Sequence, residues 1–227
     1  MGLTVLSVLC VGIAVSAICD GGFHSILVDH FAHASVEGSG KIVEDHRSLE
    51  NVRKVVLEDG LNATISVGAT PSVTILADDN VAPLITTEVD DGTLTIAREH
   101  RFHGSVSPKI AIVVPRLEVL DMTAGTVSIA GLDGGPFRLQ LQGAGDVTAS
   151  GRVDSAKLEI DGSGRLRFGA LEAADLDLEV KGSGKAEIRA TESLTVEIKG
   201  SGDVVYSGSP KHVEREIHGA GTIREAI

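Results

Sequence analysis

A short glycine motif returns about every twenty residues through the second half of this chain and limits the fold more than any other feature. The second glycines of successive copies lie 19, 20, 18 and 19 residues apart, and a degenerate copy, Thr123-Ala124-Gly125, comes 20 residues earlier. This period is typical of solenoids, in which each repeat forms one coil and neighbouring coils bury each other's apolar side chains. The five full copies are Gly143-Ala144-Gly145, Gly162-Ser163-Gly164, Gly182-Ser183-Gly184, Gly200-Ser201-Gly202 and Gly219-Ala220-Gly221.

Apolar and polar residues alternate on both sides of each glycine motif. The alternation predicts short strands with apolar side chains inward and charged side chains outward. We therefore expect an all-β fold, a right-handed β-solenoid of the parallel β-helix type with short Gly-Ser/Ala-Gly corners. Glycine at a corner allows a positive φ and close stacking of adjacent coils. The predicted inward residues include Leu139, Leu141, Val147, Ala149, Leu158, Ile160, Leu166, Phe168, Leu178, Val180, Ala186, Ile188, Val196, Ile198, Val204 and Tyr206.

Residues 41–115 also predict strands, but without the regular repeat that occupies residues 116–227. Asp59-Gly60 and Asp91-Gly92 are typical of hairpin turns, and Asp79 to Pro83 is the one helical turn predicted. The sequence leaves open whether this region continues the solenoid or forms a separate sheet layer. The predicted strands are Val52 to Leu57, Ala63 to Val67, Ser72 to Leu76, Leu84 to Val89, Thr93 to Ala97 and Lys109 to Val114.

The N-terminal residues carry an export signal pattern. Leu3 to Cys19 is apolar and uncharged, and it is short for a membrane-spanning helix. Val15-Ser16-Ala17 fits a signal peptidase site, so residues 1–19 are predicted to be a signal peptide or an N-terminal anchor. Cys19 follows a loose lipoprotein box and is a candidate for lipidation. Residues 20–40 are interpreted as a leader or linker, and residues 41–227 as the solenoid domain.

Composition excludes some partners. The formal net charge is -12, with acidic and basic residues interspersed, so neither nucleic acid nor an anionic membrane surface is an expected partner. Membrane contact is expected only through the N-terminal segment. The chain has no Trp and one Tyr, which argues against an aromatic platform for sugars.

Several motifs together resemble a known bacterial family. These are the GSG-x-h-x-h repeat, Ala77-Asp78-Asp79-Asn80 followed by Leu84-Ile85, the turn Asp91-Gly92-Thr93-Leu94, and the ending Tyr206-Ser207-Gly208-Ser209-Pro210-Lys211. From about Gly38 to Ile223 the chain resembles the head GIN domain of auto-transporter adhesins, DUF2807. The resemblance implies an exported β-solenoid domain with an adhesin role and brings no established catalytic residues. Thr123 and the inward Arg215 depart from the pattern, and the second departure predicts a frayed terminal coil.

One row of side chains depends on the predicted stacking. The residue three positions before each motif is Gln140, Glu159, Glu179, Glu197 and Glu216 in successive coils. Stacked coils would space these carboxylates by about 4.8 Å, which is unfavourable without compensation. Two readings follow: a solvated ion-pair lattice, or a weak site for divalent cations or cationic glycans. The flanking columns supply the cations Arg138, Lys157, Lys181, Lys199 and His218.

Other chemical motifs are weak. Gly182-Ser183-Gly184-Lys185 is not a phosphate loop, because Ala186 follows the lysine and a strand replaces the required helix. The remaining histidines lack the spacing and companion cysteines of a zinc site. No catalytic, cofactor-binding or metal-ligating residues are therefore predicted. The histidines considered are His24, His30, His33, His100 and His103.

The sequence therefore favours an exported, non-catalytic structural or binding module of the bacterial cell envelope, with an adhesin-like role. Its expected partner is an envelope component, a surface glycan or another protein, and its expected location is the periplasm, envelope or cell surface. One alternative is a polysaccharide-acting β-helix enzyme. Another is a scaffold that assembles end to end through its terminal coils, although Arg215, Glu216 and Glu225 oppose such growth.

Overall fold

The computed structural model describes residues 35–226. The predictions made for the signal segment, for Cys19 and for His24, His30 and His33 lie outside the described residues. Within the described part of the chain, no helix is long and apolar enough to cross a membrane.

The described residues form strands and one short 3-10 helix, Ala82–Leu84. The predicted strands between residues 52 and 114 are found within one or two residues of their expected ends, and β1, β2 and β8 were not predicted. The strands are β1 (Val36–Glu37), β2 (Ile42–Ser48), β3 (Lys54–Leu57), β4 (Ala63–Val67), β5 (Ser72–Asp78), β6 (Ile85–Asp90), β7 (Thr93–Arg98), β8 (Phe102–His103), β9 (Lys109–Val114), β10 (Val119–Asp133), β11 (Pro136–Gly162), β12 (Arg165–Gly182), β13 (Lys185–Gly200), β14 (Asp203–Ser207), β15 (His212–Gly219) and β16 (Thr222–Glu225).

The regular repeats form a β-solenoid of about 5 turns, which confirms the predicted fold class. Neighbouring coils pair in parallel, so that Leu158 lies beside Leu178 and Leu178 beside Val196. The long strands β10 to β13 bend through their corners without leaving the sheet. The backbone N–H groups of corner residues Ser163, Ser183 and Ser201 donate to the preceding corner's glycine carbonyl at 2.8 to 2.9 Å.

The inward columns form a continuous apolar core along the solenoid. Leu139, Leu178 and Val180 are among the residues fully removed from solvent, as the alternation predicts. The Phe137 and Phe168 rings meet at 6.4 Å between centroids. Because each coil buries side chains only against the coils beside it, stability accumulates coil by coil.

The two glycines of each corner are required for different reasons. The first, Gly182 for example, has a φ of +115°, and a Cβ there would collide with the carbonyl oxygen of Gly162. The second, Gly184, does not have a positive φ, but a Cβ would come within 2.7 Å of Ile160 Cγ2. The first glycine therefore meets both predicted requirements, positive φ and close stacking, whereas the second meets only the requirement for close stacking.

The region before Leu117 adds two further levels to the same stack. Strands β3 and β4 pair in parallel with β10, and β7 and β9 pair in parallel with β3 and β4. The level built from β7 and β9 thus comes later in the chain but lies farther from β10. Asp91-Gly92 joins β6 and β7 as a hairpin, as predicted. Asp59-Gly60 does not form a hairpin, because β3 and β4 do not pair with each other; both pair in parallel with β10, and the turn between them is a coil corner.

The two ends of the stack have different partners. Antiparallel strands lie at the N-terminal end, where β6 pairs with β7, β5 with β9 and β2 with β5. At the other end β15 pairs in parallel with β13 from Ser193↔His212 to Gly200↔Gly219. The prediction of a frayed terminal coil is therefore wrong. Arg215 is accommodated because its guanidinium lies over the Tyr206 ring, 4.8 Å from the centroid.

Candidate functional site

The predicted row of carboxylates is in register on the outer face of the solenoid. We call Glu159, Glu179, Glu197 and Glu216 the Glu ladder. Glu159 lies beside Glu179, Glu179 beside Glu197, and Glu197 beside Glu216. Parallel pairing without a register shift in this stretch brings the four residues, 18 to 20 apart in sequence, into one line.

Each basic side chain of the flanking column contacts two carboxylates of the Glu ladder. Lys181 Nζ lies 2.8 Å from Glu159 Oε1 and 3.1 Å from Glu179 Oε2. Lys199 Nζ lies 2.8 Å from Glu179 Oε1 and from Glu197 Oε1. His218 Nε2 lies 2.8 Å from Glu216 Oε1 and 3.9 Å from Glu197 Oε1. Acidic and basic side chains therefore alternate along one continuous row of ion pairs on the surface of the solenoid.

These ion-pair contacts favour the charged forms of Glu179, Lys181 and Lys199. Hydrogen bonds from Lys199 and then Lys181 lower the pKa of Glu179 despite partial desolvation. A hydrogen bond with Glu159, then one with Glu179, raises the pKa of Lys181, and bonds with Glu179 and Glu197 raise that of Lys199. Glu179 is thus held ionised between two lysines, and every carboxylate of the Glu ladder lies within 4 Å of a basic side chain.

Two other predicted flanking residues, Lys157 and Arg138, are not part of this row of ion pairs. Lys157 Nζ lies 3.6 Å from Asp177 Oδ2, on the column two residues before the Glu ladder. Arg138 is exposed on the same column. The sequence grouped both residues with the Glu ladder, and the structure places them beside a different feature.

That feature is an axial groove, which the sequence reasoning missed. It has a volume of about 380 Å³ and takes residues from five successive coils, so it extends about 19 Å along the stack. Its signal in the sequence is a column of polar outward residues two positions before the Glu ladder. The lining residues are Glu118, Val119, Pro136, Phe137, Arg138, Ser155, Ala156, Lys157, Asp175, Leu176, Asp177, Ser193 and Thr195.

The axial groove combines polar walls with an apolar floor. Ala156 and Leu176 contribute to the floor and are otherwise buried. Ser193 Oγ donates to Asp175 Oδ1 at 2.5 Å, which orients two of the wall groups. The walls offer hydroxyl and carboxylate groups from several coils, together with one ammonium group, from Lys157, and one guanidinium group, from Arg138. A volume of this size falls within the range of ligand pockets, and the repeated polar groups suit an extended ligand.

The amino-acid sequence of the chain matches a known protein family. The family described as "Putative auto-transporter adhesin, head GIN domain" matches residues 51–210. The chain belongs to this family. No curated protein matches the chain in sequence.

Solved structures share the fold of this GIN domain. A crystal structure of a putative adhesin from Bacteroides fragilis has a TM-score of 0.70 at 23% identity, covering 85% of this chain and 100% of that chain. A putative lipid binding protein from Parabacteroides distasonis has a TM-score of 0.53 at 18% identity, covering 86% and 100%. A putative adhesin from Parabacteroides merdae has a TM-score of 0.52 at 16% identity, covering 85% and 99%. The family and these structures are described as binding proteins, not as enzymes.

The motif Ala77-Asp78-Asp79-Asn80 of this GIN domain has a structural role. Asp78 is fully buried and accepts hydrogen bonds from the Gly40 N–H at 2.8 Å and the Ser105 hydroxyl at 2.6 Å. The Asn80 amide donates to the Glu37 carbonyl at 2.7 Å. The motif therefore fastens two loops at the N-terminal end of the stack and leaves the Glu ladder and the axial groove as the candidate functional surfaces.

Proposed function

We propose that this protein is an exported, adhesin-like binding module that holds an extended polymer in the axial groove without altering it chemically. The observation that carries the proposal is the groove itself, which takes residues from five successive coils and has a polar side chain from each of them in its lining. Membership of the adhesin head family supports the same role.

A glycan of the cell envelope or of another surface is the polymer class we favour. Ser155, Asp175 and Thr195 offer acceptors and hydroxyl groups along the groove, and Arg138 and Lys157 offer cations. Tyr206, the one tyrosine of the chain, is buried, so the ligand would be held by hydrogen bonds and charges rather than by stacking on an aromatic platform. Glycans carrying carboxylate, phosphate or amino groups suit such a groove best.

A matched pair of variants tests the groove. Ser155→Arg places a long side chain inside the groove, whereas Ser163→Arg places the same side chain at an exposed corner of the same coil. Both variants of the full-length chain would be compared with wild type on a glycan array and by calorimetry with peptidoglycan fragments. The proposal expects binding by wild type and Ser163→Arg, and at least a tenfold loss in Ser155→Arg. Equal binding by the two variants would reject the groove as the site.

The enzyme alternative is tested on the same samples. Mass spectrometry of each bound glycan after long incubation would reveal cleavage products if the module were a hydrolase or a lyase. A binding module returns the glycan intact. Time-dependent shortening that Ser155→Arg abolishes would replace the proposed function with the enzymatic one.

Export is proposed from the sequence of the first 19 residues and from the family. Expression in a bacterial host followed by N-terminal mass determination would show whether the chain is cut after Ala17 or at Cys19. We expect an exported product shortened by one of these cuts, or the full chain retained as a membrane anchor. Intact chain in the cytosolic fraction alone would contradict export, and a Cys19→Ser variant separates lipidation from simple cleavage.

One observation favours self-assembly as a second candidate. The terminal strand β15 leaves Val213 and Ile217 40% and 43% exposed at inward positions of the last coil. A further coil from another molecule would bury them. Light scattering over a hundredfold range of concentration distinguishes the two candidates, since the binding module stays monomeric and a scaffold grows with concentration.

A further inference from the structure

The last step of the ion-pair chain differs from the steps before it. In register, Lys181 lies beside Lys199 and Lys199 beside His218, so a histidine occupies the position at which the two preceding coils carry lysine. A charged lysine compensates the carboxylates by its charge and by donating hydrogen bonds, and its ammonium has no lone pair to offer a metal ion. An imidazole can also offer a nitrogen lone pair to a metal ion, and it is the commonest metal ligand in proteins.

The three side chains at this step are close enough to share one ion. One ligand atom from each of Glu197, Glu216 and His218 lies within 4.8 Å of the other two, and this is the one such trio found in residues 35–226. Zinc bound to nitrogen and carboxylate oxygen at about 2.0 to 2.2 Å would hold its ligand atoms roughly 3.4 Å apart. Glu216 and His218 are more than half exposed, so rotation of their side chains can close the difference.

We propose that Glu197, Glu216 and His218 form a surface site for a divalent transition-metal ion of the zinc type. One imidazole and two carboxylates suit zinc and its borderline neighbours, whereas magnesium and calcium prefer oxygen ligands alone. Lys199 already contacts Glu197 Oε1, which leaves the second oxygen of that carboxylate for the ion. Water completes the coordination on the solvent side.

The site would fasten the last full strand to the rest of the solenoid. Glu197 belongs to β13, while Glu216 and His218 belong to β15, an edge strand whose side chains are exposed along its whole length. An ion held by both strands would add a coordinate link at the position where the lysines of the inner coils form ion pairs and hydrogen bonds. This inference is independent of the ligand proposed for the axial groove.

The chain offers a matched pair of variants for the test. His218→Lys removes the imidazole and restores the lysine column of the preceding coils, so it is expected to fold. His212→Lys makes the same substitution at another exposed histidine of the same strand. Zinc would be titrated into the full-length wild type and both variants by isothermal calorimetry. The tightest zinc event, one per chain, should weaken about tenfold or more in His218→Lys and persist in His212→Lys.

Melting temperature gives a second readout that a change of stability alone would not produce. Zinc should raise the melting temperature of wild type and of His212→Lys, and leave that of His218→Lys unchanged. Glu216→Gln should lose the same response, which keeps the test available if either lysine variant misfolds. Equal zinc affinity in the two lysine variants, or no saturable binding by wild type, would overturn the proposal.

Discussion

The two ends of this solenoid are finished in opposite ways. At the closed end, built by β2, β5 and β6, antiparallel strands follow the last parallel level and loops fold against them. At the open end, built by β15 and β16, the parallel pairing simply stops. The closed end buries polar groups in hydrogen bonds, whereas the open end leaves inward positions in solvent.

Arg47 fastens the closed end. From β2 its guanidinium donates to the Ile85 carbonyl at 2.7 Å and to Thr87 Oγ1 at 3.0 Å, so it joins β2 to β6 on the other face of the stack. It also forms an ion pair with Asp45 at 2.7 Å. One side chain thus links the two faces of the closed end.

At the open end no further strand of residues 35–226 covers the last coil, and charged side chains occupy some of its inward positions. Val213 and Ile217 remain exposed, and Arg215 stands between them over the Tyr206 ring. The Tyr206 hydroxyl accepts a hydrogen bond from Arg215 and lies 3.4 Å from Glu225 Oε2. Charged side chains at inward positions discourage another chain from adding a coil. A solenoid can thus be ended either by reversing strand direction or by placing charged side chains at the last inward positions.

Removing the Asp78 carboxylate should destabilise the closed end and cause the largest fall in melting temperature among these predictions. Asp78→Ala leaves the Gly40 N–H, the Ser105 N–H and the Ser105 hydroxyl without their shared acceptor inside the protein. Because buried donors without partners are costly, the melting temperature should fall by about 10 °C or more. Calorimetry would measure it, with the exposed Asp161→Ala as control. A fall no larger than that of the control would mean that the closed end does not depend on Asp78.

Replacing a corner glycine should lower the free energy of unfolding more inside the stack than at the open end. Gly182→Ala and Gly219→Ala both place a Cβ on the preceding glycine's carbonyl oxygen at a positive φ. Coils lie on both sides of Gly182, so its variant should lose about 2.5 kcal/mol of unfolding free energy. The last coil can shift outward, so Gly219→Ala should lose less.

Chemical denaturation would measure both losses. Gly169→Ala is the matched control, since its φ is not positive and a Cβ there would meet no atom within 4 Å. Equal losses in the two corner variants would show that the open end is as rigid as the inner coils.

Acid should loosen the closed end. A hydrogen bond from the Ser105 hydroxyl, together with bonds from backbone N–H groups, holds the pKa of Asp78 below its ordinary value although burial acts to raise it. The Ser39 hydroxyl and Lys41 likewise lower the pKa of Asp79. A lowered folded-state pKa adds stability above the ordinary pKa of about 4, and that stability is lost as the pH falls through the folded-state value. The melting temperature of wild type should therefore drop by several degrees between about pH 5 and pH 3.

The Asp78→Asn variant sharpens this test, because it removes the titrating group. Its melting temperature should be lower at neutral pH and should fall less on acidification than that of wild type. Parallel curves for the two proteins would assign the acid sensitivity to other carboxylates, of which Asp203 near the open end also has a lowered pKa through Thr222.

Replacing the charged Arg215 at the open end should change self-association more than stability. Of the changes proposed here, we expect it to have the smallest effect on the melting temperature. Arg215→Leu joins Val213 and Ile217 into one apolar strip at the last coil. We expect concentration-dependent dimers or longer species in light scattering, with a change in melting temperature of only a few degrees. Lys211→Leu, on the loop before β15, is the control. A monomeric Arg215→Leu would show that charge is not what ends the stack.

Much of the regular part could be predicted from the sequence, because its determinants are local. Alternation assigned Leu158, Leu178 and Val196 to the core, and the glycine spacing aligned Glu159 with Glu179 before any contact was known. The axial groove was missed because it depends on how side chains of five coils are arranged at one edge, which no single repeat encodes. Lys157 was grouped with the Glu ladder because Glu159 is two residues away in sequence, whereas in the structure it pairs with Asp177 of the next coil.

The sequence by itself determined the parallel coils, their corners and the line of the Glu ladder, because a fixed period and alternating polarity leave one way to bury the apolar residues. Only the tertiary structure decided where residues 41–115 belong. Strands β7 and β9 take the outer level although β3 and β4 precede them, and Asp59-Gly60 becomes a corner although its residues are those of a hairpin. These pairings depend on which strand edges are still unpaired when segments distant in sequence come together, and the local sequence does not encode that.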